Sequence, residues 1–406
     1  MNERYPLPEG WRWVKLGEVC SSAEKRDPKT TPDLPFKYVD ISSIDNRLKR
    51  IVEARTLLGK DAPSRAKQII KANDILVATT RPNLNAVAFV PKELNNEICS
   101  TGFCALRPTE AIEPLFLFLF VQTQYFIETV SGQVKGMLYP AVTDNQIRTV
   151  YLPLPPISDQ KRIASKLQEL LQEVERARTA CEKQLETAKT LPAAYLREVF
   201  ESEEAKKWER KILGDVISFI KNGIVAGQNF DEKGPQVTRI ETISNGVVDS
   251  EKIGWVNSPL GNFADFKLFK GDILFSHINS VERLGNCAIY EGIPENLYHG
   301  MNLLRIKADE SILDPYFLLH WLRSNPCKDY YITNARRAIG QASLNQKDIK
   351  QIPIRLPILS IQQRICAELK EKMAQGENLQ SSIQNQQSAL NALPQTILKK
   401  AFSGKL

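Results

Sequence analysis

Histidine and paired cysteine are scarce in this chain. Only three histidines occur in 406 residues, His277, His299 and His320, and none lies in H-E-x-x-H or beside a cysteine pair, so the usual zinc spacings are excluded. The seven cysteines (20, 99, 104, 181, 287, 327, 366) form no C-x-x-C. An odd, dispersed set reads as reduced cytosolic thiols, not a disulfide framework. The longest tight apolar run, Leu115–Val121, has seven residues, against the roughly 20 of a membrane span. The opening MNERYPLPEG carries charges and prolines where a secretory leader is apolar. The expectation is a cytoplasmic protein that needs no membrane.

Catalytic signatures are missing as well. No G-x-x-x-x-G-K-[ST] cradles a triphosphate and no G-x-G-x-x-G follows a strand. No G-x-S-x-G marks a nucleophile, and acidic residues do not cluster as they would around a metal nuclease site. Asp314-Pro315-Tyr316 superficially approaches the D-P-P-Y motif of amino-methyltransferases, but its place at a helix start makes Asp314 a cap. With no catalytic or metal constellation, what remains is binding.

The chain does have length, balance and repetition. At about 100–200 residues per domain, 406 residues make two to four units. Composition is ordinary for globular proteins, 42% hydrophobic and 25% charged. Net charge is +7; Lys+Arg against Asp+Glu is 20 to 17 over residues 1–157, 8 to 10 over 158–205, 20 to 17 over 206–359 and 6 to 3 over 360–406. This modest basic excess permits a phosphate-bearing partner without requiring one.

The second half restates the first. W-x-W-V-K-L-G-E-V at Trp11–Val19 returns as W-E-R-K-I-L-G-D-V at Trp208–Val216, and F-K-Y-V-D-I-S-S-I-D-N at Phe36–Asn46 as P-Q-V-T-R-I-E-T-I-S-N at Pro235–Asn245. I-K-A-N-D-I-L-V at Ile70–Val77 returns as L-F-K-G-D-I-L-F at Leu268–Phe275, and L-P-L-P-P-I-S-D-Q-K-R-I at Leu152–Ile163 as I-R-L-P-I-L-S-I-Q-Q-R-I at Ile354–Ile365. The offset drifts only from 197 to 202. This is a tandem duplication whose period is too long for a solenoid unit.

Each copy ends in a helix. Residues 158–190 contain neither Pro nor Gly, and Ile163, Leu167, Leu170, Val174, Ala177 and Cys181 follow the 4-3-4-3-4 spacing of a coiled-coil seam before a stutter-like step to Leu185 and Ala188. The second copy, Ser360–Ala392, carries Ile365, Leu369, Leu379, Ile383 and Leu390, with Gly376 and Gln386 weakening its seam. Ser158 and Ser360 are candidate N-caps, and Pro192 and Pro394 are expected to break the helices. Thirty-three residues span about 50 Å. Equal length, phase and flanks favour a mutual antiparallel pair over two unrelated surface helices. The apolar set Tyr195, Leu196, Val199 and Phe200 recurs as Ile397, Leu398, Ala401 and Phe402; it either closes the coiled coil or docks a partner.

The intervening segments carry short β-rich runs (Tyr38–Ile44, Asp74–Ala78, Ala86–Val90; Val237–Ile243, Asp272–Phe275, Cys287–Tyr290) and one clear helix each, Pro114–Ile127 and Pro315–Ser324. The expected fold is α+β. Two tandem mixed domains, 1–157 and 206–359, are separated and followed by long helices, 158–205 and 360–406, with pseudo-twofold symmetry.

This ordered set of signatures resembles the specificity subunit of Type I restriction-modification systems across the whole chain. The carrying motifs are W-x-x-V-K-L-G-E at Trp11–Glu18, G-D-I-L at Gly271–Leu274, L-P-x-P-P-I-x-x-Q at Leu152–Gln160 and G-x-x-x-L-N-x-x-x-I at Gly340–Ile349. The second Pro-rich motif departs from the pattern, reading Leu356-Pro357-Ile358. The resemblance implies a non-catalytic subunit with two target-recognition domains, each reading one half of a split, asymmetric sequence on double-stranded DNA. It implies helices that set the unread gap, and two docked methyltransferase subunits that flip and methylate adenine. It also allows recruitment of restriction/translocase subunits. S-adenosylmethionine, ATP and Mg2+ would belong to those partners, not to this chain. Helices of about 50 Å would cap half-site separation at about 15 base pairs. Other readings left open are a system in which methylation and cleavage share one partner chain, a coiled-coil scaffold that does not bind DNA, and an enzyme with an unrecognised motif.

The family's base-reading residues vary with the target, so candidates come from residue chemistry alone. Arg, Lys, Asn, Gln and Tyr on turn-rich segments can bond base edges and phosphates. In the first domain these are Arg81, Asn83 and Asn85, then Gln133, Lys135 and Tyr139. In the second they are His277, Asn279 and Arg283, then Asn334, Arg336, Arg337 and Gln341, with Lys135 aligned to Arg337. Lys29, Lys49 and Arg50 read as phosphate contacts or plain surface. The differing loops imply half-sites of different sequence.

Overall fold

A computed structural model describes residues 5–134, 140–229, 234–256 and 264–406. The chain divides into two compact units, Met1–Glu182 with Asn385–Leu406, and Lys183–Gln384. Each long helix therefore contributes residues to both units.

In the first unit the two motifs that bracket the domain meet. Strand Arg12–Lys15 pairs antiparallel with Tyr151–Leu154, Val14 opposite Leu152. The main sheet runs in the order Cys20–Ser22, Phe103–Pro108, Ile75–Ala78, Val87–Phe89, Arg50–Ile51, Ile44–Asp45. A second sheet has four strands, with Pro35–Val39 and Ile98–Ser100 at its centre. The second unit repeats the frame. Glu209–Ile212 pairs with Pro353–Leu356, and Ile217–Asn222, Leu304–Ala308, Ile273–Phe275 and Cys287–Ile289 reproduce the first four strands of the main sheet in the same order.

The repeated motifs make repeated contacts. The Asp of the N-D-I-L and G-D-I-L turns is buried in both copies and ion-pairs an arginine on the adjacent strand, Asp74 with Arg107 at 3.0 Å and Asp272 with Arg305 at 2.7 Å. Asn73 and Gly271, which precede these aspartates, both adopt left-handed backbone, φ 71° and 91°, which is why an Asn exchanges with a Gly here. The Gln of the Pro-rich motif is also buried. Gln160 accepts from Glu113 N and donates to Ala111 O and Pro155 O; Gln362 accepts from Asp314 N and donates to Ile312 O and Pro357 O. One amide thus joins the start of the long helix to the loop before each domain's own helix, its NH2 supplying the two donors and its oxygen the one acceptor that these groups need. Asp314 is the expected cap, its Oδ1 accepting from Tyr316 N and Phe317 N.

The strands are shorter than the β-rich runs. Val39 ends one and Val237 another, and Ile41–Ser43 and Glu241–Ile243 are 3-10 turns. Local hydroxyls account for this: Ser43 Oγ accepts from Asp40 N and Thr242 Oγ1 from Arg239 N, diverting backbone from the ladder. The helix expected over Pro114–Ile127 is two, Pro114–Phe120 and Gln124–Ser131, because Thr123 caps the second.

The long helices outrun their expectation. They span Ile157–Phe200 and Leu359–Phe402, 44 residues each, with Pro192 and Pro394 inside. Ser158 and Ser360 are not the caps; the opening turns close on the carbonyls of Pro156 and Ile358. Pro192 leaves the carbonyl of Ala188 without its helical donor, and Gln380 Nε2 supplies one at 3.0 Å. Tertiary packing past the prolines offsets their intrinsic cost.

Burial fixes the phase of the stripe. Leu167, Val174, Cys181 and Ala188 are buried at steps of seven, and the next buried residue is Leu196, eight on. The longer step therefore falls around Pro192, not at Leu185. Ile163 is buried with Leu167, while Leu170 is half-buried. In the second helix Ile365, Leu369, Gly376 and Ile383 are buried, Leu390 is half-buried, and Leu379 is 47% exposed. Leu379 is thus off the seam; the stripe passes through Gly376, which faces the ring of Tyr195.

In each unit the start of one long helix packs against the end of the other, which fixes an antiparallel pairing. Ile163 and Leu167 cluster with Leu398 and Phe402 in the first unit, and Leu196 and Phe200 with Ile365 and Leu369 in the second. Phe402 packs on Phe116 and Phe120, at ring separations of 4.9 and 5.5 Å. Phe200 packs on Phe317 and Trp321, at 5.4 and 5.2 Å. These phenylalanines bolt helix ends into the domain cores, a role neither sequence-based option contained. Among the described residues no helix is long and apolar enough to cross a membrane.

Candidate nucleic-acid interface

In the first unit, strand Ile75–Ala78 leaves the sheet into the loop of residues 79–85. Thr80 bridges Ala141 antiparallel, Arg81 N donates to Pro140 O and Val142 N donates to Thr79 O. The segment 140–142 then leads into helix Asp144–Arg148, capped by Thr143. The second unit does the same with more regular structure. Strand Ile278–Asn279 pairs with Gln341–Ser343, which forms a hairpin with Arg336–Ala338 before the Asn345-capped helix Gln346–Lys350. In each copy residues far apart in sequence are joined, 79–81 to 140–142 in the first and 278–279 to 341–343 in the second.

Arg81 and Asn83 are exposed on the first loop. Asn85 is not a surface reader: it is buried, its Nδ2 donates to Val121 O at 2.8 Å, and its carbonyl accepts from Lys49 Nζ at 2.6 Å. Lys49 is half-buried, its ammonium bonded to the protein's own backbone. Gln133 is half-buried, its carbonyl accepting from Gln146 Nε2. Lys135 and Tyr139 lie outside the described residues.

In the second unit Arg283, Asn334, Arg336, Arg337 and Gln341 are all exposed. The hairpin tip carries Ile339, fully exposed, and Gly340 at φ 71°. Asn334 Nδ2 donates to Tyr330 O, and the Arg337 guanidinium to Ile332 O. Asn279 is spent locally, donating to Ser276 Oγ and accepting from Ser280 N. His277 is half-buried, its Nδ1 buried without a partner, and burial lowers its pKa. It lines a cleft of about 320 Å³ with Asn222, Arg336, Asn345 and Gln346. Asn222 arrives from the edge strand of the main sheet, and no motif or spacing marks it; only strand order places it here.

Among the described residues no group of three or more His, Cys, Asp or Glu side chains could hold a metal. The cysteines are buried except Cys366, which is half-buried, and burial raises the thiol pKa of Cys20, Cys104 and Cys327 to about 12. Such thiols are poor nucleophiles.

The family model described as the Type I restriction modification DNA specificity domain matches twice, over residues 8–185 and 205–386. A putative type I restriction enzyme MjaX specificity subunit of Methanocaldococcus jannaschii is 42% identical over 197 residues, 48% of this chain and 45% of that one, so the match spans less than half of either protein. The EcoKI specificity subunit of Escherichia coli is 25% identical over 84% of this chain and 76% of its own length. Among solved structures, the HsdS subunit from Thermoanaerobacter tengcongensis has a TM-score of 0.73 at 32% identity, covering 100% of this chain and 99% of its own. A chain from structural work on complex assembly and conformational transition of the type I R-M system has a TM-score of 0.83 at 32% identity, covering 99% and 100%.

Proposed function

The chain belongs to the Type I restriction-modification DNA specificity family, and we propose that it reads a split, asymmetric sequence on double-stranded DNA, one half per recognition domain. One observation carries the reading: a single frame, with the same buried Gln, Asp and Arg contacts, is built twice and presents different polar loops at the same place. In the loop that follows the shared strand, Arg81 and Asn83 face solvent in one copy and Arg283 in the other; the hairpin of the second copy also exposes Arg336, Arg337 and Gln341. Identical scaffolds hold the readers; different readers specify different half-sites.

The chain itself supplies recognition, not chemistry. In this reading two methyltransferase subunits dock on its repeated surfaces and bring S-adenosylmethionine, and restriction/translocase subunits bring ATP and Mg2+. A duplicated chain suits two copies of one partner. The long helices set the unread gap. At ~1.5 Å per residue a 44-residue helix is about 66 Å long, which raises the cap on half-site separation from about 15 to about 19 base pairs at ~3.4 Å per step. The expected arrangement is half-sites about one helical turn apart on the same face of the duplex.

The test is methylation mapping of genomic DNA from cells expressing a cognate methyltransferase with and without this chain. A split motif, methylated on both strands only when the chain is present, is the expected result. A motif unchanged by removing the chain, with the partner active, would leave it a scaffold that does not direct methylation.

A further inference from the structure

We infer that Lys49 is the positioning residue of the first recognition loop: its ammonium grips the Asn85 carbonyl and thereby sets which base edges Arg81 and Asn83 meet. The inference rests on the DNA-reading function proposed above.

Backbone strain marks the place. Seven non-glycine residues among those described have positive φ, and five of them are asparagines, the residue that tolerates that region best. The two exceptions are Lys49 at φ 52° and Arg81 at φ 48°, and Asn85 at φ 47° joins them in one cluster. Strain of this kind persists only where the surroundings over-determine it, and it concentrates at ligand-contacting segments.

A chain of bonds supplies that over-determination. Asp45 Oδ1 accepts from Arg47 N and Leu48 N at 2.8 and 2.9 Å, and Lys49 N donates to Asp45 O at 2.8 Å, so the turn bearing Lys49 is rigid. From it Lys49 Nζ donates to Asn85 O at 2.6 Å, while Asn85 Nδ2 donates to Val121 O at 2.8 Å. The far end of the loop is therefore held from two sides, by the turn and by the end of helix Pro114–Phe120. Arg81 and Asn83, between the fixed points, are left facing solvent. Burial of the ammonium lowers its pKa to about 8, against the attraction of Asp45; an exposed phosphate contact would not be desolvated in this way.

The second copy does without this device. Counting on from the aligned Asn46 and Asn245, the position of Lys49 falls on Val248. There the corresponding loop is held by strand pairing, Ile278 opposite Ser343 and Asn279 opposite Ala342. A loop with no sheet partner of that length needs a side-chain anchor, and Lys49 provides it.

The test uses the full chain co-expressed with its methyltransferase, carrying Lys49→Met or Lys49→Arg, read by methylation mapping resolved into half-sites. For Lys49→Met, methylation at the original first half-site falls about tenfold or more, as expected for losing a bond from a charged donor, and its base preference relaxes. The second half-site keeps its sequence, which also shows that the chain is folded. Lys49→Arg, which keeps the cation and its donors, restores part of the preference. An unchanged motif and level in Lys49→Met overturns the inference, and so does loss of methylation in a variant whose thermal unfolding or methyltransferase binding is also lost, since that is a defect of the whole fold. A wild-type chain that directs no split motif removes the DNA-reading function first, and the inference with it.

Discussion

The two units are built from one repeat, yet they differ where the repeat is free to differ. Their shared parts bear the frame: the paired edge strands, the four-strand sheet order, the buried Asp–Arg pair, the buried Gln at the start of the long helix and the aromatic bolt on each helix end. The first unit adds two short strands to its main sheet, and the second forms a three-stranded sheet that carries the exposed Arg336–Ala338 strand. Duplication thus preserved what positions the readers and released the readers themselves. Contacts made by buried side chains leave few alternatives, because an unpaired buried donor or cavity is costly, whereas exposed loop residues change at little cost to stability.

The comparison breaks most visibly at the helix ends. Phe402→Ala is expected to cost about 3–5 kcal/mol and to loosen the first unit, and Phe200→Ala a similar amount in the second, because each removes a fully packed ring. Denaturant unfolding followed unit by unit by hydrogen exchange would check this. Substituting Asp for either ring should detach that helix end. A chain that stays fully folded with Asp at both positions would show that the rings serve only an external partner.

Acid should separate the units next. All three histidines lie in the second unit and none in the first. Burial depresses the pKa of His299 and of His320 from 6.5 to about 4, with Arg305 acting on the former and Arg323 on the latter in the same direction, and the Leu303 carbonyl and Asp314 opposing. The unfolded chain therefore takes up these protons first. Their contribution is complete above pH ~6.5 and is lost as pH falls toward 4, on the order of 3 kcal/mol for each ring. Protection from exchange should drop between pH 7 and 4.5 in the second unit ahead of the first. His320→Leu, which installs the residue found at the aligned Leu119, should remove about half of that dependence. Equal acid sensitivity of both units would contradict the assignment.

The smallest effect tests sameness. Gln160→Ala and Gln362→Ala should each cost about 2 kcal/mol, because each orphans one buried N–H and two carbonyls of matching geometry. Thermal unfolding of both variants should give equal losses, and a clear inequality would mean that the two helix starts carry different loads.

Much of this was legible in the residues alone. Repetition at an offset of 197 to 202 declares two copies, and apolar stripes of equal length and phase in both copies declare paired helices, because periodicity is a property of sequence. Asp314 as a cap follows from its place before Pro315. Other features were not legible. Pro192 sits inside a helix because Gln380, 188 residues away, serves the carbonyl it strands. Leu379 has the chemistry of a seam residue but the wrong phase once Gly376 packs beneath Tyr195. Asn85 carries the side chain of a base reader and spends it on Val121.

The sequence by itself determined the duplication, the helix period, the absence of catalytic motifs and the motifs that recur at each domain's edges, because all of these are local patterns or patterns of repetition. Only the tertiary structure decided which polar residues face solvent, where the helices end and which loop needs Lys49. Each of those depends on a partner distant in the chain, and the free energy of a buried polar group is settled by whether that partner is present.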